Sequence, residues 1–141
     1  MKQRVYVILA ALVLAAVFTL AQTGRTIQVA IAYTGSGTVN ASHKIYVALW
    51  DSANLSGAPP VGVKPLESKS GTVTFTDVQK VPAYVSTAYD PTGKWDAQSP
   101  PPSGSSVGMY STNPPTPTAI EVEPGKTATV KIAFDDSNKV P

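Results

Sequence analysis

Apolar residues recur at every second position over several short stretches of this chain. Val130 and Ile132, for example, alternate with the polar residues Thr129 and Lys131. A period of two is typical of β-strands with one buried face, and no stretch of ten or more residues shows a convincing helical period. This pattern, or a local enrichment in β-branched and aromatic residues, predicts seven strands at 27–33, 45–50, 72–76, 84–90, 107–110, 118–123 and 127–134.

Turn-forming residues separate the predicted strands. Glycine, serine, threonine and asparagine dominate 34–42, and prolines and glycines interrupt 54–65. Pro124 and Gly125 occupy the central positions of a type II turn, which predicts a hairpin between the last two strands. Seven short strands with regular turns indicate an all-β fold, a seven-stranded antiparallel β-sandwich. Its expected core consists of Ile27, Val29, Ile31, Ile45, Val47, Leu49, Val73, Phe75, Val130, Ile132 and Phe134.

The segment 97–118 departs from this pattern. It contains six prolines, several serines and two glycines. Loops longer than about 12–15 residues are usually functional or disordered. Because prolines stiffen the backbone, we expect an ordered, extended loop along one end of the sandwich. The alternative is a plain strand connection without a ligand.

The first 21 residues predict where the rest of the chain works. Lys2 and Arg4 form a basic head, an apolar run covers 5–21, and small residues follow. This combination indicates a helical secretory signal peptide at 1–21 and a single exported domain at 22–141, either secreted, periplasmic or at the cell surface. The alternative is an uncleaved membrane anchor, because 17 apolar residues reach the lower limit for crossing a bilayer.

Charge and composition exclude several kinds of partner and chemistry. Lys2 and Arg4 account for two of the 11 basic residues, which leaves nine against nine acidic ones in the predicted mature domain. Without a basic patch, nucleic acid is not an expected partner, and contact with a membrane is expected only through the N-terminal segment. One histidine and no cysteine exclude a typical zinc site and thiol chemistry.

Three motifs in the second half of the chain follow one another in a characteristic order. A strand beginning Pro82-Ala83-Tyr84 leads into the loop 92–96, a proline and glycine segment lies at 100–104, and the last strand ends in Phe134-Asp135-Asp136-Ser137. This order resembles small secreted bacterial proteins of unknown function with a prealbumin-like sandwich, a group close to carboxypeptidase-regulatory-like domains. The resemblance implies a seven-stranded Greek-key sandwich. It implies no reaction, because the family has none assigned.

The loop 90–96 has two interpretations. Asp90, Thr92 and Asp96 stand at the first, third and seventh positions of a loop that could wrap a calcium ion, with Asp135 or Asp136 as further ligands. A lysine at the fifth position opposes this, since its ammonium group would repel the cation. The other interpretation is a type I turn, which favours Asp, Pro and Gly at its first, second and fourth positions.

Aromatic residues near predicted strand ends are the other candidates for binding. Trp50, Tyr89, Trp95 and Tyr110 could stack on sugar rings or anchor a protein partner. Trp50 and Tyr89 could instead close the ends of the core. Trp95 is expected to be the most exposed of the four, because charged residues flank it.

These observations favour an exported, non-enzymatic β-sandwich. It would bind an unidentified protein or carbohydrate, or serve as a surface-structural module. No cofactor is expected except a calcium ion. The alternative is a calcium-supported binding domain that uses the loop 90–96. A hydrolase-like enzyme would need the single histidine, His43, to meet a serine and an acid in a cleft. A further hypothesis is assembly between copies through an open edge strand at 26–33.

Overall fold

The computed structural model describes residues 23–141, and all seven strands lie between Thr26 and Phe134. The strands are β1 (Thr26–Tyr33), β2 (Ile45–Trp50), β3 (Gly62–Leu66), β4 (Ser70–Phe75), β5 (Tyr84–Tyr89), β6 (Ser106–Met109) and β7 (Thr127–Phe134). The predicted signal helix lies outside the described residues. Between residues 23 and 141 the backbone forms no helix with the length and hydropathy needed to cross a bilayer.

The strands form two sheets, as predicted. One has three strands in the order β4-β1-β7, and the other has four in the order β3-β2-β5-β6. The prediction that all strands are antiparallel was wrong, because β7 runs parallel to β1. The chain enters β7 from the end where β1 begins: Gly125 donates its N–H to the carbonyl of Gly24, and Thr26 donates to Lys126. Both strands therefore start side by side and run in the same direction.

The predicted core is confirmed at all eleven positions, each of which is at most 8 % exposed. Its side chains come from the facing surfaces of the two sheets. Full burial of a Leu, Ile, Val or Phe side chain stabilises a fold by roughly 1.5–3 kcal/mol. Buried positions alternate with partly buried ones along β1 and mostly with exposed ones along β7, which matches the period of two in their sequences.

The predicted strand at 118–123 was wrong, and with it the hairpin to the last strand. The turn itself exists: Lys126 donates its N–H to Glu123, and Gly125 has a φ of 75°. However, the preceding segment makes only an isolated bridge, between Ile120 and Ala83. Ile120 exchanges both of its backbone hydrogen bonds with Ala83, just before β5 in the other sheet, rather than pairing with β7. Ile120 and Val122 are nevertheless buried, so this segment covers the core without joining a sheet.

Strand β3 was missed, because four of its five residues fall within the segment 54–65 that was predicted as a turn region. It pairs with β2 and includes Pro65 opposite Tyr46. Proline is tolerated on an outer strand, where its missing N–H would face solvent. The prolines and glycines around β3 therefore lie at the ends of this strand and on its exposed edge.

The hypothesis that 26–33 forms an open edge was wrong. Strand β1 lies in the centre of its sheet, between β4 and β7. The outer strands are β4 and β7 in one sheet and β3 and β6 in the other.

Candidate functional site

The outer face of the four-stranded sheet has a floor of small side chains. In β2 the inward-facing residues are Ile45, Val47 and Leu49, so Tyr46, Ala48 and Trp50 face outward. The register places Ala48 opposite Ser86 and Tyr46 opposite Ala88 of β5. Small residues in the middle strands leave a depression between larger side chains.

Loops build walls on this floor and create a groove. The walls come from 55–60, from the predicted loop 97–118 and from Trp95, and the space has a volume of about 1010 Å³. This is at the upper end of the range of ligand sites, about 300–1,000 Å³. Three pairs of consecutive prolines line it: Pro59 and Pro60, Pro100 and Pro101, and Pro114 and Pro115. Four of the six prolines of 97–118 therefore lie in the wall of the groove.

Two tryptophans in the groove have their indole N–H groups already bonded. Trp50 donates to the hydroxyl of Ser86 at 2.9 Å, and Trp95 donates to the carbonyl of Ser99 at 2.9 Å. Trp95 also packs edge-on against Tyr46, with 4.9 Å between ring centroids. Trp95 is therefore half-buried rather than fully exposed, and both tryptophans offer apolar surface to a ligand rather than a free donor.

The groove carries little charge. Its charged lining residues are Lys131 and Asp135, which have opposite signs and lie at the β7 end. One carboxylate oxygen of Asp135 accepts hydrogen bonds from the amide and hydroxyl of Ser137, and these bonds lower its pKa. The groove is accordingly suited to a neutral ligand.

The other two aromatic candidates lie away from the groove. Tyr89 is buried, stacks on Tyr33 with 5.1 Å between centroids, and donates its hydroxyl to the carbonyl of Thr38. This confirms that Tyr89 closes one end of the core. Trp50 faces outward instead, and Tyr110 is half-buried against the core.

The loop 90–96 is organised around the carboxylate of Asp90, which is only 1 % exposed. Its Oδ1 accepts bonds from the amide of Thr92 at 2.8 Å and from the hydroxyl of Thr92 at 2.7 Å, and its Oδ2 accepts from the amide of Trp95 at 3.0 Å. Burial raises the pKa of Asp90, but the hydrogen bonds outweigh it, so the pKa is lowered. Asp90 therefore ties its own loop together and positions Trp95 beside the groove.

The structure does not gather the candidate metal ligands into one site. Within residues 23–141 no three His, Cys, Asp or Glu side chains lie in a group that could hold a metal ion. Asp96 is exposed and accepts bonds from Gln98 and Ser99 within its own turn. Thr92 donates to Asp90, as described above.

Asp136 is the centre of a hydrogen-bond cluster that the sequence did not indicate. Its Oδ1 accepts from the hydroxyls of Tyr33 at 2.6 Å and Ser106 at 2.7 Å, and its Oδ2 accepts from the amide and hydroxyl of Ser36, both at 2.8 Å. These donors favour the ionised carboxylate and hold the pKa of Asp136 well below its usual value. The donors lie 30 to 103 residues away, so no local motif could reveal them.

Tyr46 and the paired prolines are groove residues that sequence reasoning did not single out. Alternation along β2 was the available signal for Tyr46, since it places this residue on the same face as Trp50.

Comparison of the chain with protein-family models, with curated proteins and with solved structures finds no match.

Proposed function

We propose that this protein is an exported, non-enzymatic binding module that holds a neutral, extended segment of a partner protein in the groove. The observation that carries the proposal is the groove itself: about 1010 Å³ of space over a floor of small side chains, with aromatic and proline walls. Extended peptides, especially proline-rich ones, dock in aromatic-lined grooves because little conformational entropy is lost on binding.

The bonding of the tryptophans favours a peptide over a carbohydrate. Sugar recognition combines a stacking ring with hydrogen-bonding groups around it, whereas the indole N–H groups of Trp50 and Trp95 are engaged within the protein. The apolar wall residues, among them Pro100 and Pro101, match the prolines and aliphatic side chains of a peptide. A carbohydrate ligand is the alternative outcome of the experiment below.

The basic and apolar pattern of residues 1–21 supports action outside the cytoplasm. The prealbumin-like, Greek-key connection implied by the sequence resemblance is part of the same proposal. Four of the six strand connections pass from one sheet to the other, and β1 pairs with β4 as β2 pairs with β5, which supports that connection.

Titration monitored by tryptophan fluorescence tests the proposal, because both tryptophans of the chain line the groove. The protein used in the titration consists of residues 22–141, which include both sheets and the whole core. The probes are decaproline, a flexible (Gly-Ser)5 peptide and cellohexaose. We expect saturable binding of decaproline, weakened by about tenfold or more in Trp95→Ala and Trp50→Ala. Thr72→Ala, on the outer face of the other sheet, is the matched control and should bind as the wild type does.

Three other results would each count against the proposal. Saturable binding of cellohexaose alone would identify a carbohydrate module instead. Equal binding of decaproline and (Gly-Ser)5 would show that the groove does not select a stiff, extended chain. Absence of binding by any probe at about 5 mM, close to the weak limit of specific recognition, would reject the groove as the site.

A further inference from the structure

The outer edge of β7 presents unpaired backbone groups. Thr26 donates its N–H to the carbonyl of Lys126, and Thr34 donates to Phe134, both at 3.0 Å. Alternate residues of a strand direct their backbone groups toward the same neighbour, so the even-numbered residues of β7 face β1. The odd-numbered residues direct N–H and C=O away from β1, and within residues 23–141 no strand pairs with them. They are Thr127, Thr129, Lys131 and Ala133.

The other three outer strands are each covered or interrupted at least in part. The C-terminal segment lies along β6, where Val107 donates its N–H to the carbonyl of Asn138 at 2.9 Å. Strand β3 contains Pro65, which has no N–H to offer. On β4 the carbonyl of Thr74 accepts a bond from the ammonium group of Lys64 at 2.6 Å. Strand β7, with eight residues and no proline, carries only Lys131 as a charge against pairing.

We infer that this edge pairs with β7 of a second copy of the chain. The two strands would run antiparallel about a twofold axis, and the two three-stranded sheets would become one sheet of six in the order β4-β1-β7-β7-β1-β4. Twofold pairing places the same strand on both sides of the interface, which is the commonest symmetry of protein dimers.

One register satisfies all the free groups. With Val130 of each copy on the twofold axis, Thr127 lies opposite Ala133 and Thr129 lies opposite Lys131. All four odd-numbered residues of each copy then pair, which forms about eight hydrogen bonds. The buried residues of both strands also stay on the same face of the joined sheet, as a continuous core requires.

Charge selects this register over its neighbour. A shift that centres the axis on Lys131 would place the two lysines directly opposite each other, and like charges in that position destabilise a sheet. In the inferred register each Lys131 faces a threonine hydroxyl instead. The strand is therefore complementary to itself in one alignment.

Charge substitutions at Thr129 test the inference. In the dimer, Thr129→Glu would place a carboxylate opposite Lys131 of the other copy, and Thr129→Lys would place a like charge there. Sedimentation equilibrium of residues 22–141 at up to about 1 mM should show a monomer–dimer equilibrium. Two symmetric cross-strand pairs should strengthen the dimer about three- to tenfold in the Glu variant and weaken it by a similar factor in the Lys variant.

Thr72→Glu and Thr72→Lys are the matched controls. Thr72 is exposed on the same sheet as Lys131. Both residues pair with Ala30 of β1, Thr72 from β4 and Lys131 from β7, so Thr72 lies at the opposite edge of the sheet. These variants should dimerise as the wild type does. Amide hydrogen exchange provides a second measurement: protection of Thr129 and Lys131 should rise with protein concentration.

Three results would overturn the inference: a monomer at about 1 mM, a change in the same direction for both Thr129 variants, or equal effects at Thr72. The inference rests on the backbone edge of β7 and not on ligand binding, although Lys131 lies both on this edge and at the β7 end of the groove. Trp95→Ala should leave the dimerisation constant unchanged, so failure of peptide binding and failure of dimerisation are separate outcomes.

Discussion

The hydroxyl of Tyr33 donates a 2.6 Å hydrogen bond to Oδ1 of Asp136, which joins the last residue of β1 to a residue two positions beyond β7. Ser106, the first residue of β6, donates to the same oxygen. Since β1 and β6 belong to different sheets, one carboxylate connects both layers of the sandwich. The ammonium group of Lys69 lies 5.4 Å from the centre of the Tyr33 ring and completes this end of the fold.

Asp136→Asn should lower the melting temperature at pH 7, because a neutral amide accepts weaker hydrogen bonds than a carboxylate does. Asp135→Asn is the control, since the side chain of Asp135 is exposed and, within residues 23–141, accepts hydrogen bonds only from Ser137. Thermal unfolding followed by circular dichroism checks the difference. Equal melting temperatures for the two variants would show that the cluster does not connect the sheets energetically.

The same cluster predicts a dependence on pH. The hydrogen bonds hold the pKa of Asp136 in the folded protein below its value in the unfolded chain, which is about 3.9. The stabilisation is therefore complete above about pH 4 and is lost as the pH falls toward the lower, folded pKa. The gap in melting temperature between the wild type and Asp136→Asn should thus narrow below about pH 4. A gap that is constant down to about pH 2 would contradict this assignment.

Asp90→Asn should destabilise the protein by about 1–3 kcal/mol, because the buried side chain accepts three bonds from its loop and an amide group cannot accept on both sides. Asp96→Asn, at an exposed position, should change the free energy of unfolding by less than about 0.5 kcal/mol. Urea unfolding measures both. Equal stability of the two variants would contradict the proposed role of Asp90 in holding its loop together.

Calcium should not raise the melting temperature of residues 22–141 relative to a sample containing chelator. Both oxygens of Asp90 are engaged by its own loop, and Asp96 is held within a separate turn. A ligand at 100 times its dissociation constant would add about 2.7 kcal/mol of stability, which a thermal scan detects readily. A clear rise at millimolar calcium would contradict this expectation and support the calcium hypothesis for the loop 90–96.

Gly108→Ala should destabilise the protein by about 1–3 kcal/mol through overpacking. A Cβ atom at this position would lie 2.7 Å from Cβ of Phe134, where the inner face of β6 meets β7. Gly62→Ala is the matched strand control, because its nearest contact would be an ordinary 3.4 Å from Phe75. Chemical denaturation of the two variants checks the contrast, and a Gly108→Ala protein as stable as Gly62→Ala would rule out the close approach.

The period of two predicted most strands and eleven residues of the core, but not others, such as Val85 and Ile120. Burial depends on which face of a strand a residue occupies. Apolar residues at every second position, such as Val29 and Ile31, identify the buried face from neighbouring residues alone. At 118–123 the local enrichment in β-branched residues predicted a strand that the structure does not have. Ile120 and Val122 are buried as their apolar character requires, yet Ile120 exchanges its backbone hydrogen bonds with Ala83, before β5 in the other sheet, instead of pairing with β7.

The sequence alone determined the class of fold and eleven buried core positions, because both depend on alternation between residues close together in the chain, whereas for Asp90 it left a turn and a calcium loop open. The tertiary structure decided the rest: the parallel neighbour of β1, the choice of Asp136 over Asp135 as the acceptor for Tyr33, and the meeting of Tyr46, Trp50 and Trp95 in one groove. These relationships join residues far apart in sequence, and they depend on which strands become neighbours. Many pairings of seven similar strands would satisfy the same alternation.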